Sequence, residues 1–173
     1  MKLYHASDVE IDVIDLSKCQ KYKDFGQGFY LTELQKQSEN WVKTVLRRKY
    51  GKQNDKIGYV TIFEMSDNAV DSLKNKHFDK PTIEWMRFIL ANRDREFSDF
   101  GDQDNNQLLQ YDIVEGPVAN DGINATLNLY LSGTVSETAL LERLGFADLN
   151  HQISFHSERA VSILEKVGVY EVK

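Results

Sequence analysis

Apolar and polar positions alternate or recur along this chain in a pattern that predicts mixed strands and helices. Residues 1–6 read as an opening strand, and residues 9–13 alternate Val9, Ile11 and Val13 with Glu10 and Asp12, as a half-exposed extended segment does. Asp24, Phe25, Gly26, Gln27 and Gly28 then mark a turn before the apolar Phe29, Tyr30 and Leu31. Thr32 followed by Gln35 has the form of a capping box, in which hydroxyl and amide satisfy free N–H groups at a helix start. The helix it predicts runs to about residue 49, with Leu34, Trp41, Val45 and Leu46 as its buried stripe and Lys36, Glu39, Lys43 and Arg47 facing water.

Residues 57–65 are rich in β-branched and aromatic types and predict the central strand. Helices are expected over 67–75 and 82–92, the second with Pro81 at its start and Ile83, Met86, Ile89 and Leu90 on one side. The polar stretch 94–110 reads as an exposed loop. A short strand over 111–114 ends at Gly116 and Pro117, and Ser136 caps a helix over 137–144. A strand from His151 to His156, a helix over 157–167 and an edge strand over 169–172 close the chain. Strands and helices interleave without a strict βαβ rhythm, so the expected fold class is α+β.

Length and composition set bounds on that picture. The 173 residues, 41% hydrophobic and 28% charged, fit one globular domain over 1–173 that needs neither disulfide nor metal. The lone Cys19 cannot form an internal bridge. No apolar run approaches the ~20 residues that cross a bilayer, and the start, Met1 to His5, lacks a signal-peptide core, so no membrane association and a cytoplasmic location are expected. A net charge of −6 removes the broad basic footprint of non-specific nucleic-acid binders, though not a small local patch.

Several chemistries fail on the residues. Neither a phosphate-binding Gly-Lys-Ser/Thr loop nor the Gly-x-Gly-x-x-Gly dinucleotide fingerprint occurs. Asp102, Asp104 and Asn106 begin like a calcium loop, but Gln107 stands where its turn needs Gly and Ile113 where it needs Glu. His151 and His156 are five apart on one strand, which puts them on opposite faces and makes them poor metal co-ligands. Cys19 lies in a Lys-flanked polar stretch without the surroundings of a nucleophilic thiol.

Three segments remain: Tyr4-His5-Ala6-Ser7 at the end of the first strand, Asp24-Phe25-Gly26-Gln27-Gly28-Phe29-Tyr30-Leu31-Thr32, and Gln152-Ile153-Ser154-Phe155 on a late strand. Taken singly, His5 reads as a strand-end hydrogen-bonding residue and Phe29 and Tyr30 as core. Trp41 and Trp85 read as packing, and Asp112, Asn120 and Asp121 serve either turns or a cleft. Their order and co-occurrence carry more. The sequence resembles the ADP-ribosyltransferase fold of the diphtheria-toxin and poly(ADP-ribose) polymerase class, and more closely the small bacterial DUF3990 family, whose motifs match Tyr4 to Ser7, Asp24 to Thr32, Asp112 to Asp121 and Gln152 to Phe155.

That resemblance implies a split β-sheet core with flanking helices and NAD⁺ as substrate, without a metal. It implies that His5 bonds the adenine-side ribose, that the backbone beside Ala6 and Ser7 grips the nicotinamide amide, and that Tyr30 beside Phe29 stacks on the nicotinamide ring. Gly26 and Gly28 would let the backbone approach the ligand. The third position is Glu in the polymerase-like enzymes and Gln152 here, which accepts a hydrogen bond but adds no charge, so transfer of a single ADP-ribose is expected. His151 is the alternative occupant, one register step away. Gln152 is preferred because Ile153 and Phe155 then share the core face. The implied function is a mono-ADP-ribosyltransferase acting on a protein or nucleic-acid acceptor, in the manner of a toxin with an antitoxin partner. The alternatives are an NAD⁺ glycohydrolase and a non-catalytic module that binds NAD⁺ or ADP-ribose.

Overall fold

The structure, a computed structural model, describes residues 1–93, 106, 110–119, 125–126, 128–130, 132–145 and 150–173. Its elements are β1 (Lys2–Ser7), β2 (Phe29–Leu31), α1 (Gln35–Tyr50), β3 (Gly58–Glu64), β4 (Asn75–His77), α2 (Ile83–Arg93), β5 (Ile113–Pro117), a helix over Glu137–Gly145, β6 (His151–Phe155), a single helical turn over Glu158–Val161, and β7 (Glu165–Val172). The α+β expectation holds, with the strands divided between two sheets: β1-β3-β7 and β2-β6-β5-β4. All neighbours run antiparallel except β4 and β5.

The run of β-branched and aromatic residues in β3 follows from burial on both faces. Val60 packs with Val42 and Leu46 of α1, while Phe63 enters the cluster of Leu3, Phe29, Ile153 and Phe155. A third cluster, around Phe25, Trp85, Phe88, Ile89 and Val114, seats α2 on the second sheet. Thr82 caps α2 by accepting the Trp85 N–H at 3.1 Å, just after Pro81. Ser136 likewise accepts the Ala139 N–H at 3.2 Å.

Several local expectations are corrected. Thr32 does not form a capping box with Gln35; its hydroxyl accepts the Leu34 N–H at 3.2 Å and donates to Gln37 Oε1 at 2.9 Å, while the Gln35 amide turns to Glu39. The buried stripe of α1 is accordingly Ser38, Val42 and Leu46, and Leu34 and Trp41 are exposed. The helix expected over 67–75 is a 3-10 turn, Asp67–Val70, followed by β4, which pairs in parallel with β5 and is too short to leave a periodic signature. The helix expected over 157–167 begins at Ser157, which caps it by accepting the Ala160 N–H at 3.2 Å, but ends at Val161. Ile163 and Leu164 turn into the core, and Glu165–Val172 pairs along the whole of β3. Of the apolar positions in the segment 9–13, Ile11 packs on the core, whereas Val9 and Val13 are exposed. The expected loop over 94–110 lies outside the described residues apart from Asn106 and Gln110.

Candidate functional site

The two sheets touch edge to edge at one β-bridge, where Tyr4 N–H donates to Thr32 O at 2.8 Å and Thr32 N–H to Tyr4 O at 3.1 Å. Beyond it the ladder stops because a side chain takes the next acceptor: Nδ1 of His5 bonds Tyr30 O at 2.8 Å, and its ring stacks on Phe29 with centroids 4.1 Å apart. A carbonyl can only accept, so Nδ1 carries the proton. Burial lowers the ring's pKa to about 4, against the smaller opposing effect of the Tyr30 carbonyl. His5 is therefore neutral at pH 7, with Nε2 an acceptor. In an antiparallel edge, backbone groups two residues apart face the same way. The N–H and C=O of Ala6 thus face the side on which Tyr4 meets Thr32, past the point where pairing ends.

Tyr30 closes the turn that precedes it. Its hydroxyl donates to Gly26 O at 2.8 Å and accepts the Phe25 N–H at 2.9 Å, and burial, with nearby Asp24, pushes its pKa well above the usual phenol value. With the hydroxyl engaged, only the ring is left to face a ligand. Gly26 holds φ +90° beside Asn92, and a Cβ on Gly28 would stand 2.6 Å from Nδ1 of His156. Neither glycine borders the cleft described below, so their lack of a side chain serves the turn and its packing rather than approach to a ligand.

His156 is buried, bonds Gln27 O through Nδ1 and Ser154 Oγ through Nε2, each at 2.8 Å, and burial lowers its pKa to about 4. It braces the turn from behind Tyr30, whose ring meets it edge-on with centroids 6.3 Å apart.

On β6, Ile153 and Phe155 enter the core as the alternation requires, and Gln152 points the other way. Its Nε2 donates to Asp24 Oδ2 at 2.8 Å. Asp24 is buried and also accepts the Ala119 N–H at 3.0 Å and Arg93 Nε at 3.0 Å. The amide nitrogen of Gln152 is thus engaged and Oε1 is the end left over. The part of His151 that serves the site is its backbone, whose carbonyl accepts from Gln37 Nε2 at 3.1 Å and ties β6 to α1.

These segments converge on a recess of about 120 Å³. His5, Ala6, Tyr30 and Gln152 line it together with Gln37, Ser38 and Trp41 of α1 and with Tyr4, Leu31, Thr32 and Val118. Ser7, Gly26, Gly28, Phe29, His151 and Asp112 do not. Ser7 ends β1, where Oγ accepts the Val9 N–H at 3.3 Å, and Phe29 is core. Asp112 is buried elsewhere, accepting the Lys74 N–H at 2.8 Å and bonds from Ser157 and Arg159. Burial opposes its charge, but those bonds prevail and hold its pKa down to about 2, so it joins β4 and β5 to the last turn. Asn120 and Asp121 lie outside the described residues.

Sequence reasoning missed three residues of the cleft, Gln37, Ser38 and Trp41 of α1, and two that support it. Ser38 is 2% exposed, and its hydroxyl, on the cleft wall, has no hydrogen-bond partner among the described residues. Such a group is costly to bury unless something else satisfies it. Trp41 is 42% exposed at the same wall, with the Arg48 guanidinium 5.1 Å from its ring centroid. Asp24 and Arg93 hold Gln152 from behind. Among the described residues no acidic side chain lines the recess, and no group of His, Cys, Asp and Glu is arranged to hold a metal.

Comparison with curated proteins and with solved structures found no match. A family model described as "Protein of unknown function (DUF3990)" matches residues 1–166, nearly the whole chain, and the protein belongs to that family.

Proposed function

We propose that this cleft binds NAD⁺ by its nicotinamide end and that the protein is an NAD-dependent mono-ADP-ribosyltransferase. The observation that carries the reading is the convergence of His5, Ala6, Tyr30 and Gln152, from three distant segments, on one recess that also holds an orphaned hydroxyl. The size suits a ring: an apolar cavity of about 150 Å³ takes up benzene, and this one measures about 120 Å³. A whole dinucleotide needs several hundred Å³, so its remainder would lie along the open mouth.

The lining fits a cationic carboxamide ring. Tyr30 and Trp41 supply aromatic surface, and π faces favour a pyridinium. Ser38 Oγ and the unpaired edge of Ala6 offer donors and acceptors to the carboxamide, and Nε2 of His5 accepts from a ribose hydroxyl. In the transfer the bond from ribose C1″ to the nicotinamide nitrogen breaks, nicotinamide leaves neutral, and an acceptor nucleophile bonds C1″ and loses its proton. Gln152 Oε1 accepts from a ribose hydroxyl as positive charge grows on the sugar, without adding the negative charge of a carboxylate. That smaller stabilisation favours one transfer over polymer growth. A protein or nucleic-acid acceptor, a toxin role and an antitoxin partner follow from likeness to ADP-ribosyltransferases.

The lack of a carboxylate among the described lining residues also supports a second reading, a module that binds NAD⁺ or ADP-ribose without cleaving it. Nicotinamide release by the purified protein separates them, measured with and without cell extract and beside Tyr30→Ala and Gln152→Ala. Release that requires extract and is lost in both variants supports the transferase, and release without extract indicates hydrolysis. Saturable binding with no release in either condition replaces the transferase with the binding module.

A further inference from the structure

Asp24 lies just behind the cleft wall, at the start of the segment that carries Tyr30, where the sequence assigns Asp24 itself no role beyond the turn. Its carboxylate is buried and joins four parts of the fold: its own turn, β6 through Gln152 Nε2, the segment after β5 through the Ala119 N–H, and the end of α2 through Arg93. Arg93 also donates to Ala119 O at 2.9 Å, which closes the cluster. A carboxylate can only accept, whereas a primary amide can present either end. The partner at 2.8 Å therefore decides which end of Gln152 is left for the cleft.

We propose that Asp24 is the positioning residue of this site: it fixes the Gln152 amide with nitrogen inward and oxygen available to the ligand, and its presence is why glutamine rather than glutamate occupies position 152. A glutamate there would set a second carboxylate at hydrogen-bonding distance from Asp24, and two such groups ionise together only at a large cost. Arg93 brings one guanidinium to the pair, and among the described residues Lys23 and Tyr30 of its own segment also lie near Asp24. The negative charge that related chemistry places on the third motif residue is thus displaced to a buried neighbour, which polarises the amide through their hydrogen bond.

The ligand readout of the test rests on the cleft reading; the ligand-free readout does not. Asp24→Asn, Gln152→Glu and the double variant are compared with wild type by NAD⁺ titration and by melting temperature across about pH 5 to 8. Asp24→Asn frees the amide to flip and weakens NAD⁺ binding about tenfold, the scale of one charge-assisted hydrogen bond. Gln152→Glu carries a carboxyl whose folded pKa is raised, so its melting temperature drops progressively below that of wild type as pH rises, against the gain with pH that the buried histidines give wild type up to about 6.5. In the double variant the amide introduced at position 24 donates to the carboxylate introduced at position 152, which removes that progressive drop and recovers most of the lost affinity. A Gln152→Glu profile parallel to wild type, or a double variant no better than the sum of the single losses, overturns the proposal. If wild type binds no NAD⁺, the cleft reading fails, and the melting profiles still decide the pairing of residues 24 and 152.

Discussion

Two histidines with the same lowered pKa do different things. His5 borders the cleft and keeps Nε2 as an acceptor, while His156 is sealed behind the turn with both nitrogens engaged. Both fall from 6.5 to about 4 through burial, so between those values the unfolded chain binds more protons than the folded one. Stability from these sites is complete above about pH 6.5 and is lost as pH falls toward 4, on the order of 3 kcal/mol for the buried His156. Denaturant titrations across this range should show that slope, and His156→Asn, which keeps a donor for Gln27 O, should flatten it. Asp112 acts in a separate window, losing its contribution as pH drops from 3.8 toward 2. The hydroxyl of Tyr30 serves the turn and its ring faces the cleft. Tyr30→Phe should therefore cost about 1–2 kcal/mol of stability while leaving NAD⁺ affinity near wild type; a large loss of affinity with unchanged stability would place the hydroxyl in the chemistry instead.

Among the elements, α1 carries both a structural and a functional face. Leu46 is buried on β3, and Leu46→Ala should cost about 2–5 kcal/mol of unfolding free energy. Trp41, one position from buried Val42, is exposed at the recess, so Trp41→Ala should change stability by less than about 1 kcal/mol and still abolish tight NAD⁺ binding. The phase of this helix was the least legible part of the fold. Thr32 pairs with Gln37 rather than Gln35, the helix starts after Leu34, and the apolar Leu34 and Trp41, which a hydrophobic pattern assigns inward, face out. The strands β1, β3, β5 and β6 were legible because their patterns report burial directly. β4 was not, since three residues show no period, and the length of β7 was masked by the true helix cap at Ser157.

At the scale of the whole molecule, the proposed function depends on two sheets that meet at the Tyr4–Thr32 bridge and then part around His5. The order of His5, Tyr30 and Gln152 in the chain and the alternation on β6 pointed to three separate segments, and the fold gathers them at that opening. Asp24, Arg93, Ser38 and Trp41 could not be found in this way. Asp24 and Arg93 meet only through long-range folding, and Ser38 matters because its hydroxyl is buried without a partner among the described residues, which no spacing encodes. No helix among the described residues is long and apolar enough to cross a membrane.

The chain has two tryptophans: Trp41 borders the recess, while Trp85 is fully buried with its indole N–H on Pro117 O at 3.2 Å. Tryptophan fluorescence during NAD⁺ titration therefore reports on the cleft. Saturable quenching is expected below about 1 mM NAD⁺, absent in Trp41→Phe and strongly weakened in Tyr30→Ala. No saturable change in wild type, together with no heat of binding by calorimetry over the same range, would contradict the assignment of this cleft to NAD⁺.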